Sequence, residues 1–273
     1  MTDFKKIQSY YSIFNEENRL KSDYSGKLEY EMTLRKIQKF LPDSATILDL
    51  GGAAGVYTFP LAKLGYKMYL ADLSETLIAK AEEKTRILNE SNIISCDVVN
   101  AIDLGIYETG QFDVVLLFGP LYHLLEESER HQCINEVYRV LKKGGLVFAS
   151  FIPYLSGSIA IVDRYFRHPE QVDQNTLKEV FQTGRFTNKD SCGFQEGYYP
   201  SSTEVEQLFH SHLFIKQSVS SIRSFGYGRE EQIYRVNNRD MFDEIFFLLE
   251  QTSEIKEIVE TCGHAMYVGR KGI

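Results

Sequence analysis

The run Ile47-Leu48-Asp49-Leu50-Gly51-Gly52-Ala53-Ala54-Gly55 decides how this chain is read. An apolar strand ends in an acid, and a turn of small residues leads on to a helix. Small residues let a backbone approach a ligand that side chains would exclude, and a helix start aims free N–H groups at whatever lies there. A nucleotide-like ligand is therefore expected at the end of a first strand. The spacing narrows the choice. A phosphate-cradling loop needs G-x-x-x-x-G-K-[ST], and Val56 stands where its second glycine should be. A dinucleotide turn needs G-x-G-x-x-G, and counting from Gly51 gives Ala53 and Val56 instead. What stands is Asp49-x-Gly51-x-Ala53-x-Gly55. With the acid inside the motif, a cationic or zwitterionic ligand fits better than a pyrophosphate.

Outward from this turn, residues 46–50 are predicted as a strand and 54–64 as a helix stopped by Gly65. Residues 66–71 give a second strand, closed by Asp72, and Ser74 is placed to cap the next helix. Residues 93–96 give a third strand, before Asp97 and Val98. The run 112–118 is almost continuously apolar, as expected of a strand buried on both faces of a parallel sheet. Ile134, Val137, Tyr138 and Leu141 recur at helical spacing, and that helix is predicted to finish in Lys142-Lys143-Gly144-Gly145 before a fifth strand at 146–152. Such alternation predicts an α/β fold with a doubly wound sheet. Residues 1–41 are expected to form an N-terminal helical cap on a main domain of 42–273. After Pro153 the rhythm breaks. Residues 153–200 are predicted as an insertion after the fifth strand, forming a substrate lid, although their aromatics would equally make the insertion's own small core. Residues 204–211 resume as a helix, 214–222 as a strand, 241–262 as one or two helices and 264–269 as a last strand.

Composition sets bounds. The 273 residues suit one large domain or one with an insertion, and 43% apolar with 25% charged residues is ordinary for a globular protein. A formal net charge of −8 disfavours non-specific binding to DNA or anionic membrane. The four cysteines, Cys96, Cys133, Cys192 and Cys262, form no C-x-x-C pair, so reduced thiols are expected. The polar start of the chain and the lack of a long apolar run lead us to expect a cytoplasmic protein.

Four features follow one another in order: the Asp49–Gly55 turn, Asp72, Asp97-Val98, and Phe112-Asp113-Val114-Val115 with the loop Phe118-Gly119-Pro120-Leu121-Tyr122-His123-Leu124. Over about residues 46–151 this series resembles a class I S-adenosylmethionine-dependent methyltransferase. The segments Tyr10-Tyr11, Glu17-x-Arg19-Leu20, Leu28-Glu29-Tyr30 and the closing run from His264 to Lys271 are similar to small bacterial members. The chain departs from the family's usual [DE]-x-G-x-G-x-G at Ala53, a residue small enough to keep the turn. The resemblance implies a Rossmann-like, seven-stranded methyltransferase sheet with its last strand antiparallel. It also implies S-adenosyl-L-methionine as cofactor and SN2 transfer of its methyl group.

By the same resemblance, Asp49, Gly51, Gly52, Ala53 and Gly55 meet the amino-acid end and ribose of the cofactor, and Asp72 with Leu73 takes the ribose hydroxyls. Asp97 with Val98 meets the adenine (Asp103 being the alternative), and Phe118 and Gly119 face the methyl group. Tyr11, Tyr122 and His123 are candidate acceptor-binding residues. His123 is also the candidate general base, needed only if the acceptor must lose a proton. Asp113 stands at the wrong end of its strand for a ligand and is read as structural. Arg19 and Glu29 are read as a structural pair, His210 and His212 as no metal site, and no metal is implied. A small-molecule acceptor is expected, because aromatic-rich insertions enclose small ligands. The alternative is a tRNA-modifying methyltransferase acting on a wobble-uridine derivative, which requires Arg164, Arg167, Arg185, Lys189, Arg223 and Arg229 to gather around the cleft. A non-catalytic cofactor-binding module is the third reading. Neither DNA nor membrane is expected as a partner, and the oligomeric state is open.

Overall fold

The computed structural model describes residues 2–13, 20–188 and 196–272. Arg19, Lys189 and Cys192 lie outside them. The apolar run of the first strand forms β1 (Thr46–Leu50), and the sheet grows around it in the order β3 (Ile93–Val98), β2 (Lys67–Asp72), β1, β4 (Phe112–Leu117), β5 (Leu141–Phe151), β9 (Ala265–Lys271) and β8 (Phe214–Ser221). Strand β9 is antiparallel to both neighbours, and the other pairs are parallel. This is the predicted seven-stranded α/β sheet.

Period-two alternation splits the core between the two faces. Ile47, Val114, Leu116, Phe148, Met266 and Val268 point to one side. There they meet Leu28, Met32 and Ile37 of α2 (Tyr24–Phe40), Phe59, Leu61 and Ala62 of α3 (Thr58–Lys63), and Phe246 and Leu249 of α11 (Arg239–Thr252). Leu48, Leu50, Val115, Leu117, Val147 and Tyr267 point to the other, against α6 (Glu127–Val140) and α9 (Ser202–Ser211). Each fully buried aliphatic or aromatic side chain here contributes about 1.5–3 kcal/mol. The order in which strands are added reverses at β1, because β2 lies on one side of β1 and β4 on the other. The carboxyl ends of those two strands therefore open a crevice.

Several boundaries differ from the sequence reading. The helix expected from residue 54 starts only at Thr58, because the turn persists through Gly55, whose φ is +83°. Helix α6 stops at Val140 and passes straight into β5. Phe112 pairs with Leu141 but Val114 with Leu146, so residues 142–145 bulge out of the ladder. The end of α6 is served instead by Lys271, whose Nζ donates to the carbonyls of Tyr138 and Leu141 at 2.6 and 2.8 Å. Lys142 goes to Asp113 at 2.8 Å, and the other oxygen of Asp113 accepts from the Thr46 N–H at 2.9 Å. This acid thus ties the closed end of the sheet.

The stretch 1–41 is not uniform. Helix α1 (Phe4–Ile13) sits over the crevice, whereas α2 is part of the core. The insertion contains α7 (Tyr154–Arg167), α8 (Gln174–Thr183) and a hairpin of β6 (Arg185–Thr187) with β7 (Glu196–Tyr198). It packs around its own cluster of Ile161, Val172, Val180, Phe186 and Tyr199. The C-terminal part adds α10 (Glu230–Tyr234) and α12 (Lys256–Thr261), so residues 241–262 span two helices. Among the described residues, no helix is long and apolar enough to cross a membrane.

Candidate active site

The turn after β1 is held by backbone bonds that leave no room for side chains. The N–H groups of Gly51 and Gly52 both donate to the Ala71 carbonyl, at 2.8 and 3.2 Å. Gly51 has φ +82°, and a Cβ there would lie 2.6 Å from the Phe118 carbonyl oxygen. A Cβ on Gly52 would come within 2.3 Å of Leu70. Ala53 also takes the left-handed conformation, at φ +50°, which costs a non-glycine residue roughly 1–2 kcal/mol. Its N–H donates to Asp72 Oδ2 at 2.9 Å, while Asp72 Oδ1 accepts from the Ser74 N–H at 2.9 Å. One carboxylate thereby joins the two turns that follow β1 and β2.

Two cavities flank this turn. The first runs past Leu50, Gly51, Ala53, Asp72, Leu73 and Ser74, then past Val99, Asn100 and Ala101, to the loop 118–124. Its roof is α1, which presents Phe4, Ile7, Gln8 and Tyr11. Gln8 Nε2 donates to the Leu73 carbonyl at 3.0 Å, and the Tyr11 hydroxyl lies 2.8 Å from His123 Nε2. The second cavity lies behind the turn, between Asp49, Gly52, Tyr57, Glu29, Thr33 and His264. Gly51, Ala53, Phe118 and Tyr122 border both.

The acids differ sharply. Asp49 is fully buried. Thr58 Oγ1 donates to its Oδ2 at 2.6 Å, but its Oδ1 has no hydrogen-bond partner among the described residues. Burial, with a smaller contribution from nearby Asp72, pushes its carboxyl up to about 6. His123 is buried too, and burial brings its imidazole down to about 4. It is neutral near pH 7, and besides the Tyr11 contact its ring bonds to the Glu196 backbone. With the ring proton on the nitrogen facing that backbone, Nε2 accepts from Tyr11, and both ring nitrogens are engaged.

Most of the residues singled out from sequence meet at these cavities. Tyr11, Gly51, Ala53, Asp72, Leu73, Phe118, Gly119, Tyr122 and His123 line the first, and Asp49 and Gly52 line the second. Gly55 lines neither; it packs against Phe59 where the chain turns into α3. Asp97 and Val98 also stand apart, which corrects their expected placement. Asp97 Oδ2 accepts from Ser95 Oγ at 2.6 Å and from the Tyr107 hydroxyl at 2.8 Å, and Val98 is 48% exposed. The reason is that β3 runs on to Val98, which pairs with Asp72, so the residues reaching the cavity are the next three, 99–101. Asp103 does not line it either. Nor do any described residues of 153–200 line either cavity; Phe186 and Tyr199 fill the insertion's own core, Tyr165, Phe166 and Phe181 stay exposed, and α1 supplies the roof. Phe4, Ile7, Gln8 and Tyr11 are spaced as one helical face, the one sequence signal that would have revealed that roof. Glu29 lies 3.1 Å from His264 Nδ1, and Arg19, with which it was read as a pair, lies outside the described residues. His212 bonds to His131 and to Asn135, each at 2.8 Å.

These residues suit a zwitterion with a sugar. An ammonium group would supply the donor that Asp49 Oδ1 lacks, a ribose diol could donate to Asp72, and Gly51–Gly52 admits close approach. Residues 48–149 match the family model for a methyltransferase domain. By that match, residues 48–149 are a methyltransferase domain. The methyltransferase segment is 30% identical over 129 residues to a ribosomal-protein methyltransferase of Listeria innocua, covering 45% of this chain and 37% of that protein. It is 27% identical over 120 residues to the glycine/sarcosine N-methyltransferase of Parasynechococcus marenigrum, covering 42% of each. The chain thus spans less than half the length of these curated relatives. A solved methyltransferase structure from Methanosarcina mazei shares the fold with a TM-score of 0.60 at 19% identity, over 87% of this chain and 97% of that one. The cofactor of such a domain is S-adenosylmethionine.

Proposed function

We propose that this chain transfers a methyl group from S-adenosylmethionine to a small-molecule acceptor. The observation that carries this reading is the division of the site at Gly51–Ala53, with Asp72 on one side and the open oxygen of Asp49 on the other. When bound, the cofactor supplies a methyl group already activated by a positively charged sulfur. The protein's part is then alignment and exclusion of water. In this reading Asp72 fixes the ribose, Asp49 fixes the ammonium, residues 99–101 flank the adenine, and Phe118 and Tyr122 border the methyl group. His123, neutral and bonded to Tyr11, holds the α1 roof in place and does not remove a proton.

A small acceptor is favoured over tRNA by how the arginines are used. Arg185 pairs with Glu126 at 3.3 Å, and Arg223 with Glu230 at 3.0 Å. Arg164 bonds to Gln171, and Arg229 to the carbonyls of Phe225 and Tyr227. The likeness to an N-methyltransferase of glycine and sarcosine points the same way. Calorimetric titration with S-adenosylmethionine tests the cofactor, and absence of binding would overturn the whole reading. Incubation of the protein with methyl-labelled cofactor and cell extract tests the acceptor. Label is expected in the small-molecule fraction, and label in RNA alone would favour the tRNA alternative.

A further inference from the structure

The α1 roof is fastened by polar contacts rather than by core packing. Phe4, Lys6, Ile7, Gln8 and Tyr11 are only partly buried, whereas α2 places Leu28, Met32 and Ile37 in the core. Ahead of the helix, the Thr2 N–H donates to Glu129 Oε1 at 3.0 Å, and the Thr2 hydroxyl accepts from the Leu125 N–H at 3.0 Å. Gln8 goes to Leu73. Two further attachments lead to a single residue of the insertion. Lys6 Nζ lies 2.5 Å from Glu196 Oε1, and Tyr11 meets His123, whose ring bonds in turn to the Glu196 backbone.

Glu196 stands on a fixed post. It opens β7, where it pairs with Thr187 of β6. At the far end of β6, Arg185 donates to the Leu125 carbonyl at 3.1 Å and pairs with Glu126. Two residues beyond Glu196, the Tyr198 hydroxyl donates to Glu204 at 2.8 Å, and the Arg130 guanidinium lies 3.8 Å over the Tyr198 ring. Tyr199 stacks on Phe186 in the insertion's own core. The hairpin is thus tied to α6, to α9 and to the chain after the loop 118–124, and α1 is the lighter partner. Phe4 to Tyr11 cover the first cavity over about two helical turns, so loosening α1 loosens the cover on whatever lies beneath. We propose that Glu196 is a positioning residue for the cofactor: without lining the cavity, it pins the α1 roof at two points and slows the loss of bound S-adenosylmethionine. This rests on the methyltransferase reading above. The insertion then acts on the site at one remove, as the anchor of its roof.

The test is the rate at which S-adenosylhomocysteine leaves the protein, followed by surface plasmon resonance. The Lys6 and Glu196 side chains are 36% and 23% exposed, so the pair should be worth a few-fold rather than orders of magnitude. Glu196→Gln and Lys6→Met should each speed release about threefold, and the double variant no more than either alone. The reversed pair, Lys6→Glu with Glu196→Lys, should return release to within about twofold of the parent. Raising salt from about 0.05 to 0.5 M should speed release from the parent but not from Glu196→Gln. In the ligand-free protein, amide hydrogen exchange across residues 5–11 should quicken in Glu196→Gln, which reads the roof itself. Glu170→Gln, at an exposed acid of the same insertion, should change neither readout. Additive effects in the double variant, no rescue by the reversed pair, or an equal change in Glu170→Gln overturns the proposal. Absence of any binding by the parent would defeat the methyltransferase reading and the role toward the cofactor with it. Normal binding with release and exchange unchanged in Glu196→Gln defeats this proposal alone.

Discussion

The two cavities on either side of the glycine turn are built from the same backbone but finished differently. On the first side, Asp72 has both oxygens bonded to backbone N–H groups, and the roof is fastened by Gln8 and Tyr11. On the second, buried atoms of Asp49 and Thr33 have no hydrogen-bond partner among the described residues. The first side is pre-organised, so its polar groups stabilise the fold whether or not a ligand is bound. The second side keeps hydrogen-bonding capacity open for a ligand. Two acids at adjacent strand ends therefore have opposite relations to stability. Asp72 should support both fold and binding, whereas Asp49 should support binding at the expense of the fold.

The sharpest test of this contrast is a pair of substitutions. Asp72→Ala removes the carboxylate that ties two turns, and S-adenosylmethionine affinity should fall by about 2–3 kcal/mol, with the melting temperature falling as well. Asp49→Asn should weaken cofactor binding by roughly 2 kcal/mol, read by calorimetry, yet leave the ligand-free protein at least as thermostable as the parent. If both variants lose stability alike, the two sides do not differ as described.

Acid offers a second test. The ligand-free Asp49 carboxyl titrates at about 6, and its protonation removes the acceptor that the cofactor ammonium needs. S-adenosylmethionine affinity should therefore fall by up to about tenfold per pH unit below that value, measured by calorimetry across the window. Stability follows a different course. Asp49 is raised from 3.8 to about 6, so the folded chain holds this proton more tightly than the unfolded one. Its contribution is fully present below 3.8 and is lost as pH rises through about 6. His123, lowered from 6.5 to about 4, works the other way, costing stability as pH falls between those values. The two offset each other in the parent, so Asp49→Asn should make thermal stability fall more steeply with acid than it does in the parent.

Smaller effects concern the first side. Tyr11→Phe removes one bond from the roof and should weaken cofactor binding by about 0.5–1.5 kcal/mol. Ala53→Gly relieves the left-handed alanine but enlarges the freedom of the unfolded chain. A net change of a few tenths of a kcal/mol up or down is expected from those opposing effects, and a loss above about 1 kcal/mol would mean that the Ala53 methyl group packs against something essential.

The legible part of this molecule was the part whose signals are local. Ile47–Gly55 carries strand, acid and turn within nine residues, and Asp72 closes the next strand. Where a strand stops is less local. The Val98–Asp72 pairing extends β3 past Cys96, and that shift removed Asp97 and brought in residues 99–101. The insertion left two readings open for a related reason. Its aromatics are as apolar as a pocket lining, and only packing shows that Phe186 stacks on Tyr199 within its own cluster.

Sequence by itself determined the sheet and the turn, because periodicity, small residues and an acid at a strand end act through their immediate neighbours, and the cofactor followed from the family resemblance that this turn carries. Tertiary structure alone decided that α1 roofs the first cavity and that Glu29 meets His264 across 235 positions of chain. It also decided which acid is satisfied and which is left open. Those outcomes depend on where burial removes water and which partners arrive, and no stretch of sequence carries that information.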